Sequence, residues 1–293
     1  MNKRILMTGA TGFLGSNLLI SLVNIGYKVS ILKRVNSKLI RILEVLEKID
    51  TYNIEEISIA DCLRKSQPNI IIHCATDYGR KNADPSSIIE ANLILPLKLL
   101  ELSRSNNVNC FINTDTVLDK RINHYSLSKK QFKDWLNAFS ADLICINISL
   151  EHFYGPFDDK TKFVSFIIDK FISEAKEIDL TLGEQKRDFI FIDDIISAFN
   201  IVIYNLDKMQ LGFYEYEIGT TKQFKIKELI EIIKKLTGNI NTKTNYGVIP
   251  YRKNEIMESN VNIKEISRLG WSPKYDLYMG LKKTIETELK SKL

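Results

Sequence analysis

Short apolar runs alternate with segments of helical periodicity along the first half of the chain. Apolar runs of this length, without polar alternation, are typical of strands buried on both faces of a sheet. The predicted strands are 28–32, 70–73, 110–113 and 143–148, and the predicted helices between them are 88–102 and 126–139. Strands that alternate with helices indicate a mostly parallel sheet covered on both faces, so the pattern predicts an α/β fold.

The second half has longer loops that are richer in charge. Helical periodicity predicts helices over 163–171 and 226–236, and strand-like runs cover 178–182, 189–192 and 213–218. We therefore expect one domain over residues 1–150 and a smaller α/β lobe made mainly of residues 151–293, which closes over a ligand. Residues of about 188–205 are the candidates for a return to the first domain.

A glycine-rich turn occupies residues 8–15, TGATGFLG, directly after the apolar run 5–7. Gly9 can adopt backbone angles closed to other residues, Gly12 lets the main chain approach a pyrophosphate, and Gly15 allows close packing of helix and strand. The following helix offers unpaired N–H groups to phosphates. The turn therefore predicts a dinucleotide site on a Rossmann-like doubly wound sheet, with an ordinary strand-to-helix turn as the alternative. The remaining cofactor contacts predicted in this turn are Thr11, Phe13 and Leu14.

Composition limits the classes of partner. The chain has 41 basic and 36 acidic residues, a net charge of +5, and no basic arm, which suits anionic small molecules and argues against nucleic acid. The four cysteines have no CxxC spacing, so we expect reduced thiols in a cytoplasmic protein. Polar residues and glycines interrupt the apolar N-terminus, which argues against a signal peptide, and no run reaches the roughly 20 apolar residues of a membrane span.

Tyr125 and Lys129 are four residues apart, which places a phenol and an ammonium group on one helix face. A nearby cation favours the phenolate, so we expect a lowered tyrosine pKa and an acid or base that works near neutrality. The pairs Tyr204/Lys208 and Tyr278/Lys282 have the same spacing, so the spacing alone is weak evidence. Tyr125 differs because a strand-like segment, FINTDT, precedes it, and Thr114 in that segment can bind a reacting carbonyl at the ligand crevice.

Several motifs together resemble the extended short-chain dehydrogenases/reductases that modify nucleotide sugars, the NAD-dependent epimerase/dehydratase family. They are TGATGFLG, the HCA at 73–75, Asn92, Thr114 with Tyr125 and Lys129, the RDF at 187–189 and the LGWSP at 269–273. Within that family, INTDT, HCATDYGR, LEHFYGPFDDKTKF, GEQKRDFIFIDD and YRKNEIM resemble the CDP-abequose and CDP-paratose synthases.

This resemblance implies a nucleotide-sugar 4-ketoreductase that reduces a CDP-linked 4-keto-3,6-dideoxyhexose to a deoxysugar for surface polysaccharide such as O-antigen. It implies that Tyr125 delivers the proton, Thr114 polarises the carbonyl oxygen, and Lys129 binds the cofactor ribose. Further cofactor contacts implied by the resemblance are Ala75, Thr76 and Asn92. The implied substrate contacts are Tyr78, Thr116, Glu151, His152, Phe163, Arg187 and Arg252, with no metal.

The second predicted strand ends in Lys33 and Arg34, where an acidic residue would bind the ribose 2′-hydroxyl of NAD. Two cations suit a 2′-phosphate, so NADP(H) is the expected cofactor and NAD(H) the alternative. A solvated basic loop explains the same residues without any phosphate.

Three other activities are compatible with this fold or family. A dehydratase needs a base where this chain has Thr116, so that activity is not expected, and the role of Asp115 stays open. A 4-epimerase uses the same tyrosine, lysine and threonine and remains the alternative, and a non-catalytic NADP-binding regulator is the second. The resemblance also implies a homodimer built on helices 88–102 and 126–139. Neither the nucleotide base nor the C4 stereochemistry follows from the sequence.

Overall fold

The computed structural model describes residues 3–80, 84–252 and 254–291. The chain divides into two compact units. The first unit comprises Met1–Leu150 and Phe199–Glu217, and the second comprises Glu151–Ala198 and Ile218–Leu293. The segment that rejoins the first unit is thus Phe199–Glu217.

A seven-stranded sheet forms the centre of the first unit. Its strands are β1 (Arg4–Thr8), β2 (Lys28–Lys33), β3 (Asp50–Asn53), β4 (Ile70–His73), β5 (Cys110–Thr116), β6 (Ile144–Leu150) and β10 (Gly212–Ile218). They lie in the order β10-β6-β5-β4-β1-β2-β3, and all pairs among β1 to β6 are parallel. The predicted α/β class with a doubly wound parallel sheet is confirmed.

The strand order reverses between β1 and β4, and in open α/β sheets ligands bind beyond the carboxyl ends of the strands at such a point. The strand predicted at 213–218 is β10, which pairs with β6 in this large sheet. Pairing with β10 satisfies backbone groups that β6 would otherwise leave unpaired at an edge.

Helices flank this sheet: α1 (Phe13–Ile25), α2 (Ile59–Ser66), α3 (Pro85–Ile89), α4 (Leu95–Ser103) and α5 (His124–Ala138). The helix predicted over 88–102 is interrupted, because Glu90–Ile94 forms a π-helical turn between α3 and α4. Helix α5 begins with a capping box in which the Asn123 side chain accepts from the Ser126 N–H at 2.8 Å and Ser126 Oγ accepts from the Asn123 N–H at 3.3 Å. The core includes Leu6, Ile71 and Phe111, all fully buried.

The second unit contains two small sheets. Their strands are β7 (His152–Tyr154), β8 (Glu177–Leu180), β9 (Lys186–Phe191), β11 (Gln223–Lys225) and β12 (Lys243–Tyr246). The first sheet has three strands in the order β11-β9-β7, and the second pairs β12 with β8. The remaining helices are α6 (Phe163–Ile172), α7 (Ile192–Asn205), α8 (Ile226–Thr237), α9 (Lys264–Arg268) and α10 (Leu277–Lys290). In the described part of the chain, no helix combines the length and apolar character that crossing a membrane requires.

Candidate active site

The glycine-rich turn connects β1 to α1. Gly9 has a φ of 69°, in the left-handed region, and its carbonyl accepts from the Gly12 N–H at 3.0 Å. Helix α1 then begins at Phe13 with Gly12 as its N-cap, and no side chain caps it. The first-turn N–H groups of α1 therefore have no side-chain acceptor of their own, which suits an anion at this end of the helix.

Packing restricts two of the three glycines. A Cβ on Gly9 would lie 2.3 Å from the backbone nitrogen of Ala75, and one on Gly15 would lie 2.1 Å from the Gly9 carbonyl oxygen. At Gly12 the nearest atom would be the Gly9 oxygen at 3.3 Å. Gly12 is exposed and borders open space, which is where a diphosphate could approach the main chain. Of the other predicted contacts in the turn, Phe13 and Leu14 are buried and Thr11 is half-buried.

The segment after β4 lies against this turn. The Cys74 N–H donates to the Thr8 carbonyl at 3.1 Å, and the Ala75 N–H donates to Thr8 Oγ1 at 3.3 Å. Thr76, the next predicted cofactor contact, is half-buried. His73 at the end of β4 is fully buried, and Thr8 Oγ1 lies 2.8 Å from its Nδ1. These bonds fix the carboxyl end of β4 beside Gly9.

Asn92 braces the loop that follows. It lies in the π-helical turn and is fully buried. Its Oδ1 accepts from the Asp77 N–H at 2.9 Å, while its Nδ2 donates to the Asp77 carbonyl at 2.8 Å and to Ser128 Oγ at 3.0 Å. Both donor hydrogens of the Asn92 amide are used in these bonds. Asn92 therefore holds the loop after β4 in place at the predicted cofactor site.

The two basic residues at the end of β2, Lys33 and Arg34, differ in their contacts and exposure. Lys33 Nζ donates to Asn53 Oδ1 on β3 at 2.6 Å. Arg34 is exposed. Arg34 is therefore the member of the pair that is placed to reach a phosphate in solvent.

Tyr125 and Lys129 lie on α5, and Tyr125 is the half-buried member of the pair. The rings of Tyr125 and Tyr78 are 5.1 Å apart, and the Thr116 hydroxyl lies close enough to the Tyr125 phenol to act on its pKa. Burial, followed by Tyr78 and Asp115, raises the pKa of Tyr125 well above 10, whereas Thr116 lowers it. The expected lowering of this pKa by Lys129 is wrong, because the loss of water around the phenol outweighs the effect of nearby groups.

Lys129 is a buried cation, with 1% of its surface exposed. Burial lowers the pKa of its ammonium to about 8, although Asp115 and Cys74 both act to raise it. Within the described residues, Nζ has no hydrogen-bond partner. A buried ammonium with three unused donors could bind the hydroxyl groups of a ribose, so the residues here fit a dinucleotide.

Replacing Lys129 with methionine should stabilise the protein at pH 7. The folded-state pKa is depressed, so the cost of the buried charge is fully present below pH 8 and disappears as the pH rises from about 8 to 10.5. The shift corresponds to about 2 to 4 kcal/mol in the free energy of unfolding. Urea unfolding at pH 7 and at pH 10 measures it, and the gain should shrink at the higher pH.

Lys208→Met is the matched control, because Lys208 is an exposed member of a pair with the same spacing. It should leave the free energy of unfolding within about 0.5 kcal/mol of the original at both pH values. A Lys129→Met variant that is less stable than the original protein at pH 7 would contradict a costly buried ammonium.

Thr114 and Thr116 have different partners at the end of β5. Thr114 Oγ1 donates to the His73 carbonyl at 3.0 Å, and its single hydroxyl hydrogen cannot at the same time be donated to a substrate carbonyl. Thr116, expected to contact substrate, is 7% exposed, and its Oγ1 accepts from the Leu118 N–H at 3.2 Å. Thr116 is also the hydroxyl residue of β5 that acts on the pKa of Tyr125.

In the second unit, Glu151 and His152 form one cluster of substrate candidates. Glu151 is 3% exposed, and its Oε2 lies 3.0 Å from Nδ1 of the half-buried His152. The other carboxylate oxygen of Glu151 accepts a short hydrogen bond from Ser259 Oγ. Ser259 was not predicted, since the two residues are far apart in sequence and no local motif links them.

The two candidate arginines of the second unit are Arg187 and Arg252. Burial is the main cause that lowers the pKa of Arg187, and the like charge of Arg252 lowers it further. Arg187 is tied down by Glu255 Oε1 at 2.5 Å and by the Ile256 carbonyl at 2.6 Å. Arg252 is exposed. Glu255 was also missed, although it belongs to the YRKNEIM motif. Phe163, the first residue of α6, has 38% of its surface exposed.

Asp188 is a structural carboxylate. It is fully buried, and it accepts hydrogen bonds from the Thr220 N–H, the Thr220 hydroxyl and the Thr221 N–H, all at 2.7 to 3.0 Å. Thr221 has a φ of 63°, so these bonds hold a strained turn. The contacts of Asp188 therefore give the acid beside Arg187 a role in local structure.

A family model described as the NAD dependent epimerase/dehydratase family matches residues 5–219, well over half of the chain. The chain belongs to this family. It is 38% identical to a CDP-abequose synthase of Salmonella muenchen over 97% of this chain and 98% of that protein. It is 30% identical to a CDP-abequose synthase of Salmonella typhimurium over 98% of both. Membership makes the protein an NAD(P)-dependent enzyme.

Solved structures share the fold over the whole chain. A UDP-glucose 4-epimerase of Thermotoga maritima, solved with UDP-glucose, has a TM-score of 0.87 at 23% identity and covers 100% of both chains. A UDP-glucose 4-epimerase of Thermus thermophilus, solved with NAD, has a TM-score of 0.84 at 20% identity and covers 99% of this chain and 100% of that one. At these identities the likeness establishes the fold.

Proposed function

We propose that the protein is a nucleotide-sugar 4-ketoreductase that reduces a CDP-linked 4-keto-3,6-dideoxyhexose with NADPH. The observation that carries the proposal is the 38% identity to a CDP-abequose synthase over nearly the whole of both chains. The two units have separate tasks in this proposal: the first binds the cofactor and carries Tyr125, and the second supplies most contacts to the substrate.

The proton donor is Tyr125. Its raised pKa keeps the phenol protonated at neutral pH, which is the form that a carbonyl reduction consumes. A reduced nicotinamide, when bound, supplies the hydride for the C4 carbonyl carbon. Tyr125 gives its proton to the carbonyl oxygen, so the product is an alcohol. Thr116 orients the phenol, and Thr114 can donate to the same oxygen only after its hydroxyl leaves the His73 carbonyl.

Lys129 and the glycine-rich turn hold the cofactor in this proposal. The unpartnered buried ammonium of Lys129 donates to the ribose hydroxyls, and the N–H groups at the start of α1 donate to the pyrophosphate. Arg187 and Arg252 bind the pyrophosphate of the sugar nucleotide. Glu255 already fixes the guanidinium of Arg187, which lowers the entropy lost when a bidentate bond to phosphate forms.

The proposed preference for NADPH rests on Arg34, whose exposed cation at the end of β2 can bind the 2′-phosphate. Arg34→Ala should raise the KM for NADPH by about 10-fold and leave the KM for NADH within about 2-fold, since loss of one phosphate contact is worth about 1 to 2 kcal/mol. Steady-state kinetics with both cofactors measures this. Lys38→Ala, a nearby exposed lysine, is the control. Equal efficiencies with NADH and NADPH that Arg34→Ala does not change would contradict the preference.

A 4-epimerase is the second candidate, since solved 4-epimerases share the fold. An epimerase begins by taking a proton from the C4 hydroxyl, for which Tyr125 must be a phenolate. The 38% identity to a CDP-abequose synthase favours the reductase instead. A dehydratase is disfavoured because the hydroxyl of Thr116 cannot act as a base at neutral pH.

The deciding experiment supplies NADPH and CDP-, dTDP-, GDP- and UDP-linked 4-keto sugars to the purified protein. We expect NADPH oxidation with the CDP-linked 4-keto-3,6-dideoxyhexose and read the C4 configuration of the product by NMR. Purified protein that carries tightly bound NAD and interconverts C4 epimers without added cofactor would instead establish an epimerase. Cofactor binding without turnover of any sugar would favour a regulator.

A further inference from the structure

Asp115 is a buried carboxylate surrounded by donors. It is 3% exposed near the end of β5, and its Oδ1 accepts from the Thr116 N–H at 2.7 Å. Its Oδ2 accepts from Lys130 Nζ at 3.0 Å and from Asn147 Nδ2 at 3.0 Å. The orientation of the Asn147 amide is fixed in turn, because its Oδ1 accepts from Asn113 Nδ2 at 2.8 Å.

These contacts determine the form of Asp115. Each partner donates a hydrogen, and a protonated carboxyl group would need an acceptor for its own hydrogen. Both oxygens of Asp115 therefore act as acceptors, and Lys130 is the cationic partner of this carboxyl group. Burial of one charge with its partner also avoids the cost of an unpaired buried charge.

The same two residues hold Thr116 from both sides. Asp115 accepts from the Thr116 N–H, and Lys130 Nζ donates to the Thr116 carbonyl at 2.6 Å. With its N–H and its carbonyl both bonded, the backbone of Thr116 is fixed at the point where its hydroxyl lies beside the Tyr125 phenol. Asp115 and Lys130 thus act on the phenol of Tyr125 in two ways, by fixing Thr116 and through the charge of the Asp115 carboxylate.

We propose that Asp115, held by Lys130 and Asn147, is a positioning residue that fixes Thr116 beside Tyr125 and places a negative charge near Tyr125 and Lys129. The proposal rests on the proposed reductase function, because a reduction consumes the proton of Tyr125.

The charges around this site support it. Asp115 acts to raise the pKa of Tyr125 and that of Lys129. Among the described residues, Tyr78 raises the pKa of Tyr125, and Cys74 and Lys130 raise and lower the pKa of Lys129. His73 also faces Lys129, and burial followed by the Lys129 charge lowers the pKa of His73. The carboxylate of Asp115 therefore raises the pKa of Lys129, and the ammonium of Lys130 lowers it.

Asp115→Asn keeps the shape and removes the charge. The basic limb of the kcat pH profile should move to lower pH by about 0.5 to 1 unit, with kcat at pH 8.5 reduced by about 3- to 10-fold and KM little changed. Lys130→Met removes the opposite charge and should move the same limb to higher pH. Asp134→Asn, an exposed carboxylate on the same helix, is the control and should move nothing.

The titration of Lys129, followed by NMR of ¹³C-labelled lysine, gives the same answer without a substrate. In the original protein it should titrate near pH 8, and in Asp115→Asn at lower pH. If the Lys129 titration shifts in Asp115→Asn but the original protein reduces no keto sugar, the role of Asp115 stands and the proposed reductase function fails. If Asp115→Asn does not fold, Lys130→Met is measured in its place, and it should shift the Lys129 titration and the basic limb to higher pH. Unchanged limbs and an unchanged Lys129 titration, with only a loss of thermal stability, would overturn the proposal.

Discussion

Tyr125→Phe should lose about 10³-fold or more of kcat while it binds NADPH as the original protein does. The substitution removes one hydroxyl group, the proton donor, and keeps the ring that lies 5.1 Å from the ring of Tyr78. Removal of a positioned general acid typically costs about 10²- to 10⁴-fold in rate. Single-turnover oxidation of NADPH in the presence of the CDP-linked keto sugar measures the loss, and fluorescence titration measures cofactor binding.

The chain supplies its own control for this variant. Tyr204 lies four residues before Lys208, the spacing that Tyr125 has to Lys129, but Tyr204 is 60% exposed. Tyr204→Phe should keep full activity. Turnover by Tyr125→Phe within about 10-fold of the original would exclude Tyr125 as the proton donor, whatever its geometry.

Gly9→Ala should lower cofactor affinity by at least about 10-fold and the free energy of unfolding by about 2 to 4 kcal/mol. Two costs combine: a φ of 69° strains any residue with a Cβ, and the added carbon would lie 2.3 Å from the backbone of Ala75. Since the turn can relieve the clash only by moving away from β4, the diphosphate contacts should be lost with it. Calorimetric titration with NADPH and urea unfolding measure the two effects.

Gly238 separates the two costs. It has a φ of 67° at the end of α8, and a Cβ there would meet no atom within 4 Å. Gly238→Ala should therefore cost only the conformational strain, about 1 kcal/mol, and leave cofactor affinity unchanged. Equal losses in the two variants would mean that the approach of Ala75 to Gly9 does not restrict residue 9.

Local pattern predicts much of the first unit. The apolar runs at 70–73 and 110–113 became β4 and the first part of β5, because strands buried on both faces need continuous apolar residues. The helix predicted over 126–139 corresponds to α5, His124–Ala138. The predicted helix over 88–102 is in fact interrupted, because the π-helical turn buries Asn92 against the loop after β4, a contact that helical periodicity does not encode.

The sequence by itself determined the family, the α/β class, the glycine-rich turn and the spacing of Tyr125 and Lys129, because each depends on residues close together in the chain. Only the tertiary structure decided that Thr116 lies beside Tyr125, that burial raises the Tyr125 pKa, and that Lys130 and Asn147 hold the carboxyl group of Asp115. These outcomes depend on water exclusion and on contacts between strands and helices that are distant in sequence. Neither periodicity nor motif spacing carries that information.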